Sequence, residues 1–489
     1  MPFATPLRDR SYGDRAMTGL PGVGNLRLHQ PDRKVHHVNR TTTASWVKLM
    51  AGTAALSLTL AACGSEDDSE PAAEDTSSAS ASESSSGAPS GEFTNDKCGG
   101  GTTSADTYKV GGILPLTGNL AYLGPPEIAG VGLAVSDINA AGGVNGADAC
   151  HQILDSGDTT DLAVSTSSAG NLVNAKPSIV VGAASSSVTL NVVDTFTDAK
   201  IVQISPANTA VDLSGYSPYY FRTAPPDGIQ GSALGTLISS DGYSRVGFLV
   251  FSDTYGTGLR NAVQETVEAS GGECTYGCKG DGNEFPAGQT TFSSDVSAVL
   301  ATNPDAIVIL AFDETKAIVP ELVSQGWDMS KTYLTDGNTA DYSKDFPEGT
   351  LEGAQGTIPG ADASEDFKEL LQGWNQQVNG EELTDYAYAA ESYDATILGA
   401  LAAVKGGATD PTTIQENLAA VSGASDGEEC SSFADCVALL DEGSEIRYTG
   451  PSGIGPIDEE NDPSSAFVGI YTYDASNKNV FASTVEGTK

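Results

Sequence analysis

From Tyr108 onward the sequence predicts an α/β protein made of two doubly wound parallel-sheet lobes. Three observations carry that reading. Short apolar runs alternate with longer stretches of helical period, the pattern of βαβ units that feed a parallel sheet. The alternation breaks once, at Phe221-Arg222-Thr223-Ala224-Pro225-Pro226, and then resumes, which divides two such series. The 489 residues are long for one domain and comfortable for two lobes.

The elements follow in order. The strand candidates of the first series are Tyr108–Leu114, His151–Asp155, Ile179–Gly182 and Ile201–Ser205. Those of the second are Arg245–Phe251, Ala306–Ala311 and Lys331–Thr335. Between them lie helical stretches such as Glu127–Ala140, whose Ile128, Val131, Val135 and Ile138 share one face before Gly142-Gly143 ends it.

Ahead of this body the chain reads as an address. Leu49–Ala62 is an uncharged, apolar run behind Arg40 and Lys48; it falls short of the ~20 residues that span a bilayer and fits the core of a signal peptide. It ends in Leu60-Ala61-Ala62-Cys63, then Gly64-Ser65, which resembles the bacterial lipobox with Cys63 as the lipidated residue. Gly64–Gly91 is Ser, Glu, Asp, Ala and Pro without an aromatic residue, and is expected to act as a flexible, self-repelling tether. Residues 1–37 are basic and lie too far upstream to belong to the signal. The translated start is expected near Val38, if a GTG codon was read as Val.

Charge and composition exclude several functions. Lys and Arg total 24 against 65 Asp and Glu. Residues 1–62 hold 8 basic and 3 acidic residues, so the 16 basic and 62 acidic residues of 63–489 give that part a charge of −46. Such a surface repels phosphate backbones, so no nucleic-acid partner is expected. His29, His36 and His37 fall in the first 62 residues and leave only His151 to the body, which argues against His-dependent hydrolysis and multi-His metal sites. Gly423-Ala424-Ser425-Asp426-Gly427 matches GxSxG, but no His follows it, so it reads as a loop. No GxxxxGK loop is present, and Gly256-Thr257-Gly258 lacks the third glycine of a dinucleotide turn. Asp155–Asp161 is acidic but lacks EF-hand spacing, and reads as the start of a helix. No enzyme activity, cofactor or metal is expected.

Setting Cys63 aside leaves six cysteines in a chain bound for an oxidising compartment. Cys274 and Cys278 are neighbours, as are Cys430 and Cys436; Cys98 and Cys150 are left, each just before a strand candidate or its neighbour. Zinc is the competing reading, but there is no CxxC pair or local His, so disulfides are expected.

In open parallel sheets ligands sit outside the carboxyl ends of the strands. In the first series those ends lead into Pro115-Leu116-Thr117-Gly118, Gly182-Ala183-Ala184-Ser185-Ser186-Ser187 and Ser205-Pro206-Ala207-Asn208-Thr209. These offer hydroxyls and helix-start N–H groups, which suit a carboxylate. In the second they lead into Ser252-Asp253-Thr254-Tyr255-Gly256, Phe312-Asp313-Glu314 and Thr335-Asp336-Gly337-Asn338. Aromatic rings and acids suit a cation and an apolar tail. Helix N-capping accounts for any one of these residues; a site between the lobes accounts for the asymmetric set.

Gly112-Ile113-Leu114-Pro115-Leu116-Thr117-Gly118 followed by Ile138-Asn139-Ala140-Ala141-Gly142-Gly143-Val144-Asn145-Gly146 resembles the opening of the type I periplasmic-binding-protein family typified by the leucine/isoleucine/valine-binding proteins. Ile204–Thr209, Phe221-Arg222-Thr223, Asp253–Gly256, Gly450-Pro451 and Phe467-Val468-Gly469 match in order, over roughly residues 106–485. The resemblance implies a clamshell whose lobes are joined by a three-stranded hinge, with crossings near Thr223, Gly356 and Ser465. Residues 106–224 with 357–464 would form the N-terminal lobe and 225–356 with 465–489 the C-terminal lobe. Residues 1–62 would be extension and signal, and 63–105 the lipidated Cys and tether.

The resemblance also implies site roles. Ser186 and Thr209 would bind an amino acid's α-carboxylate, with backbone groups of Ala207 and Asn208. Tyr255 and Phe312 would be closing walls, Asp336 would face the α-ammonium and Tyr122 would line the side-chain pocket. Asp336 is shorter than the family's usual Glu, Phe312 lacks the hydroxyl of its Tyr, Asn208 is bulkier than its Ala, and Cys274–Thr291 is enlarged. The implied partners are a branched-chain or related amino acid, an ABC permease, and the outer face of the cell membrane through lipid on Cys63, the protein itself being a monomer. A sensory lipoprotein, or the same fold holding a small amide, urea or aromatic acid, are the alternatives.

Overall fold

The computed structural model describes residues 93–99, 104 and 106–488. The position near Val38, the run Leu49–Ala62, Cys63 and the Gly64–Gly91 tether lie outside the described residues. Among the described residues no helix is long and apolar enough to cross a membrane.

Strands β1 (Tyr108–Leu114), β2 (Ala149–Asp155), β3 (Ile179–Gly182), β4 (Val202–Ser205) and β5 (Tyr220–Arg222) form a wholly parallel sheet of order β2-β1-β3-β4-β5. Helices cover both faces, so β3 reads as a continuous apolar run and β1 as one from Val110 on. The chain turns one way from β1 to β2 and the other way to β3. That reversal opens a crevice beyond the carboxyl ends of β1 and β3.

Strands β6 (Arg245–Val250), β7 (Glu273–Tyr276), β8 (Ala306–Leu310), β9 (Thr332–Leu334) and β10 (Gln355–Pro359) make the parallel part of a second sheet. After the small pair β11 (Glu428–Cys430) and β12 (Ile446–Tyr448), the chain returns to it with β13 (Ser465–Tyr473) and β14 (Asn479–Thr488). The order is β14-β13-β10-β9-β8-β6-β7. Here the structure departs from a purely parallel lobe: β13 runs antiparallel to both β10 and β14. The β13–β14 connection is a short turn, and a turn of that length can join only antiparallel strands. A second departure is at β10, where Thr357, Ile358 and Pro359 continue the strand past Gly356 and stay in the second sheet.

The helix expected over Glu127–Ala140 spans Gly124–Ala140. Val131, Val135 and Ile138 are fully buried, but so are Leu133 and Ala134 on its other side. The reason is that the helix is sandwiched between the sheet and a second helix, Ala389–Gly406. The two helices approach closely at Gly130, where a Cβ would lie 2.2 Å from the carbonyl oxygen of Ala389.

The cysteines pair as Cys98–Cys150, Cys274–Cys278 and Cys430–Cys436. Beside the first disulfide, the Cys98 N–H donates to the His151 carbonyl at 2.9 Å and the His151 N–H to that of Asp96, which ties residues 96–98 along β2. The acidic Asp155–Asp161 stretch runs from the last residue of β2 to Asp161, which caps the helix Leu162–Ala175. Among the described residues no group of three or more His, Cys, Asp or Glu is arranged to hold a metal ion.

Arg222, at the end of β5, is fully buried. Its guanidinium donates to Asp462 at 2.6 and 3.0 Å, to Ser214 Oγ at 2.7 Å and to the Ala210 carbonyl at 2.9 Å. The ion pair therefore fixes the loop that follows β4 against the segment that leads into β13.

Candidate functional site

Two sets of loop residues meet where the sheets face one another. From the first sheet come Ser185 and Ser186, at the head of the helix Ser186–Asp198, and Ala207–Thr209 beyond β4. From the second come Tyr255, in the first turn of the helix Thr254–Ala269, Phe312 beyond β8, and Asp336 and Gly337 beyond β9. Together they line a narrow cavity of about 20 Å³, room for about one water.

On the first side, Ser186 Oγ accepts the N–H groups of Thr209 (3.3 Å) and Ala210 (3.2 Å) and keeps its hydroxyl proton. Thr209 Oγ1 is buried with no partner in good hydrogen-bond geometry. The Ser186 hydroxyl proton is thus free for a carboxylate, while the Thr209 hydroxyl lies beside the Asp227 carboxyl and favours its charged form. The N–H groups of Ala207 and Asn208 are engaged by Ser205 Oγ at 3.4 and 3.2 Å. The Asn208 side chain turns away from the cavity: its amide donates to the Ala183 carbonyl and to Thr189 Oγ1, and its oxygen accepts from the Tyr220 hydroxyl. Its extra bulk is absorbed beneath the loop and does not narrow the cleft.

On the second side, the Tyr255 ring stacks on Phe312 with centroids 5.5 Å apart and planes 13° apart, and Phe251 backs Phe312 at 4.7 Å. Gly337 is required here, because a Cβ would lie 2.6 Å from the Phe312 ring. Asp253 caps the helix by accepting the Tyr255 N–H at 2.9 Å, which fixes the ring's direction.

Asp336 is 5 % exposed. The Tyr255 hydroxyl donates to its Oδ1 at 2.6 Å and the Tyr388 hydroxyl to its Oδ2 at 2.7 Å. Burial pushes its carboxyl above the ordinary range, and the two phenols pull the other way. A cation arriving beside Asp336 would favour the ionised form and be held in turn. Tyr122 is placed differently from a pocket wall: it is half-buried and its hydroxyl donates to the Asp336 carbonyl at 3.3 Å.

Tyr388 and Asp227 escape the sequence reading. Tyr388 precedes the helix Ala389–Gly406 with φ 60°, a left-handed backbone uncommon for a bulky residue. Asp227 begins the helix Asp227–Ser240 and is fully buried, with neither carboxyl oxygen in good hydrogen-bond geometry. Burial pushes its carboxyl up to about 8, opposed by the neighbouring Thr209 hydroxyl and reinforced by Asp336.

Several hydrogen bonds join the two sides. Besides Tyr388 and Tyr122 to Asp336, the Thr254 N–H donates to Ser187 Oγ at 3.4 Å and the Asn119 amide to Glu314 Oε1 at 3.4 Å. With so little free volume, this is a closed arrangement.

The chain is similar to several known proteins. The leucine-, isoleucine-, valine-, threonine- and alanine-binding protein of Pseudomonas aeruginosa is 36% identical over 172 residues, 34% of this chain and 45% of that protein. The Leu/Ile/Val-binding protein of Escherichia coli is 31% identical over 206 residues, 42% of this chain and 54% of that protein. The chain spans about half the length of these curated relatives. Two solved structures share the fold: a leucine binding protein, LivK, of Thermotoga maritima, with TM-score 0.63 and 21% identity over 77% of this chain and 98% of the other; and LivJ of Streptococcus pneumoniae in complex with isoleucine, with TM-score 0.62 and 24% identity over 78% and 100%. A solute-binding protein of R. palustris in complex with 4-hydroxybenzoate also shares it, with TM-score 0.62 and 17% identity over 78% and 98%. The periplasmic binding protein family profile matches residues 107–429, from β1 through both sheets to β11. On that match, which covers more than half of the chain, the chain belongs to the periplasmic binding protein family.

Proposed function

We propose that the protein is an extracytoplasmic solute-binding lipoprotein that holds a branched-chain or related α-amino acid between two lobes, one around each sheet, and presents it to an ABC permease. The observation that carries the reading is the placement, across one cavity, of the Ser186 and Thr209 hydroxyls opposite a buried acid, Asp336. Hydroxyls suit a carboxylate and the acid suits an ammonium, so the two sides together suit a zwitterion. The stacked rings of Tyr255 and Phe312 give its aliphatic part an apolar wall. The relatives whose names specify leucine, isoleucine and valine support the same ligand class.

The cavity is far smaller than such a ligand, so ligand enters an open form and contacts the second lobe only as the lobes close. Closure is then favoured by exactly the contacts it adds. In this proposal Cys63 carries the lipid, more than one acyl chain holds the protein at the outer face of the membrane, and the protein works as a monomer without cofactor or catalytic step.

Calorimetric titration with a panel of L-amino acids and of amine-free acids, 4-hydroxybenzoate among them, tests the reading. L-Leucine, L-isoleucine or L-valine should bind and the amine-free acids should not. Binding of 4-hydroxybenzoate with no amino acid bound would overturn it in favour of the aromatic-acid alternative.

A further inference from the structure

A second cavity, of about 190 Å³, opens beyond Tyr388 at the end of β10. Gly360, Asp362, Asp385, Glu391, Tyr471 and Phe481 frame it. It is distinct from the Ser186–Asp336 cavity, and the Tyr388 ring lies on the boundary of both.

Its charges do not balance. Asp362 is paired with Lys368 at 3.0 Å, but neither Asp385 nor Glu391 has a basic partner among the described residues. Glu391 is 3 % exposed, and its carboxyl is hydrogen-bonded by its own backbone N–H. Its Oε1 rests over Gly360, where a Cβ would lie 2.0 Å away, so the bare backbone there leaves room for it. Among the described residues Asp385 has backbone N–H partners alone, Ala387 at 2.8 Å and the neighbouring Tyr386, and no basic one. Behind Glu391 lies Glu127, fully buried, with both carboxyl oxygens unpartnered. Burial pushes the carboxyls of Glu391 and Asp385 upward, the response of acids that lack a counter-charge. The aromatic wall is Tyr471 against Phe481, edge to face at 5.7 Å. Burial raises the Tyr471 phenol, and Asp362, Asp385 and Glu391 raise it further, so all three acids lie around one ring.

We propose that this cavity binds the primary ammonium of an aliphatic amine. An R–NH₃⁺ group brings three N–H donors to the Glu391 and Asp385 carboxylates, and its charge also meets the aromatic faces. The volume suits a short alkylammonium and not a second drug-sized ligand. The ammonium comes either from a separate amine or from the side chain of an amino acid whose α-groups sit at Asp336; in the second case the inference rests on the proposed function.

The test is calorimetry on the full chain with 1,4-diaminobutane, L-ornithine, L-leucine and choline, repeated on Glu391→Gln and Asp385→Asn with the thermal midpoint of each variant checked. The proposal expects 1,4-diaminobutane or L-ornithine to bind, each variant to weaken that binding by about tenfold to a hundredfold, and L-leucine affinity to stay unchanged. Binding of 1,4-diaminobutane to protein already saturated with L-leucine identifies a separate amine; L-ornithine that competes with L-leucine identifies a side-chain ammonium. Loss of L-leucine binding with retained 1,4-diaminobutane binding would sink the amino-acid reading and leave this one standing. No heat from either amine, amine affinity within about twofold of the parent in both variants, or choline binding as tightly as 1,4-diaminobutane would overturn it.

Discussion

Replacing Asp336 with Asn removes one charge while keeping the side chain's size. The carboxylate takes two phenol hydrogen bonds, at 2.6 Å from Tyr255 and 2.7 Å from Tyr388, and Asp336 is 5 % exposed. A bound α-ammonium would lie in the same water-poor space. In Asp336→Asn that ammonium is buried without a counter-charge, a loss of about 2–5 kcal/mol, so L-leucine should bind about 30- to 5,000-fold more weakly by calorimetry at neutral pH. The variant's own stability should move the other way. Burial raises the folded-state pKa of Asp336, so its contribution is fully present below the unfolded value and is lost as pH rises through the folded one. Unliganded Asp336→Asn should therefore be at least as stable as the parent at neutral pH, with the difference closing in acid. For the parent, the same raised pKa makes ligand affinity fall as pH drops and the carboxylate takes up a proton. An L-leucine affinity within about threefold of the parent, from a folded variant, would refute the assignment of Asp336 to the ammonium.

Three further outcomes follow from buried groups. Asp227, with its carboxyl pushed up to about 8, gives the folded protein a stability that falls by about 1.4 kcal/mol per pH unit between about pH 4 and 8; Asp227→Asn should flatten that slope in urea titrations at several pH values, and an unaltered slope would contradict the burial argument. Arg222→Met removes the counter-charge of buried Asp462, which keeps the Ser214 hydroxyl at 2.6 Å, and should cost about 3–5 kcal/mol of unfolding free energy in urea; a loss under about 1 kcal/mol would mean the ion pair is dispensable. Replacing Cys98 and Cys150 together by Ser frees a loop of sequence separation 52 and should cost about 4 kcal/mol by the chain-entropy relation, visible as a lower thermal midpoint, whereas an unchanged midpoint would show the loop is held by other contacts.

Strand position was largely legible because fully buried parallel strands must be apolar on both faces, as Ile179-Val180-Val181 and Ala306–Leu310 are. β5, β7 and β11 gave no such signal, being three or four residues long and carrying Arg222, Glu273 or Glu428-Glu429. β13 and β14 were missed for another reason: their pairing needs only a short turn and breaks the βαβ rhythm that identified the others. In the site, Ser186, Ala207–Thr209, Tyr255, Phe312 and Asp336 follow strand ends, where position nominates the loops and the family resemblance singles out the residues. Tyr388 does not follow a strand; it reaches Asp336 because the chain, after β10 and the helix Glu365–Val378, packs the helix Ala389–Gly406 against Gly124–Ala140. Glu127, Asp227 and Glu391 look like ordinary helix acids in sequence, since burial is a property of the packed neighbours and not of the residue.

The most direct measurement of the central claim is a crystal structure of the protein with L-leucine bound. The account expects the ligand carboxylate on Ser186 Oγ and Thr209 Oγ1 and its ammonium about 2.7–2.9 Å from an Asp336 carboxylate oxygen, with Tyr255 and Phe312 against the aliphatic chain. A ligand bound with its carboxylate toward Asp336, or outside the space between the two sheets, would contradict it.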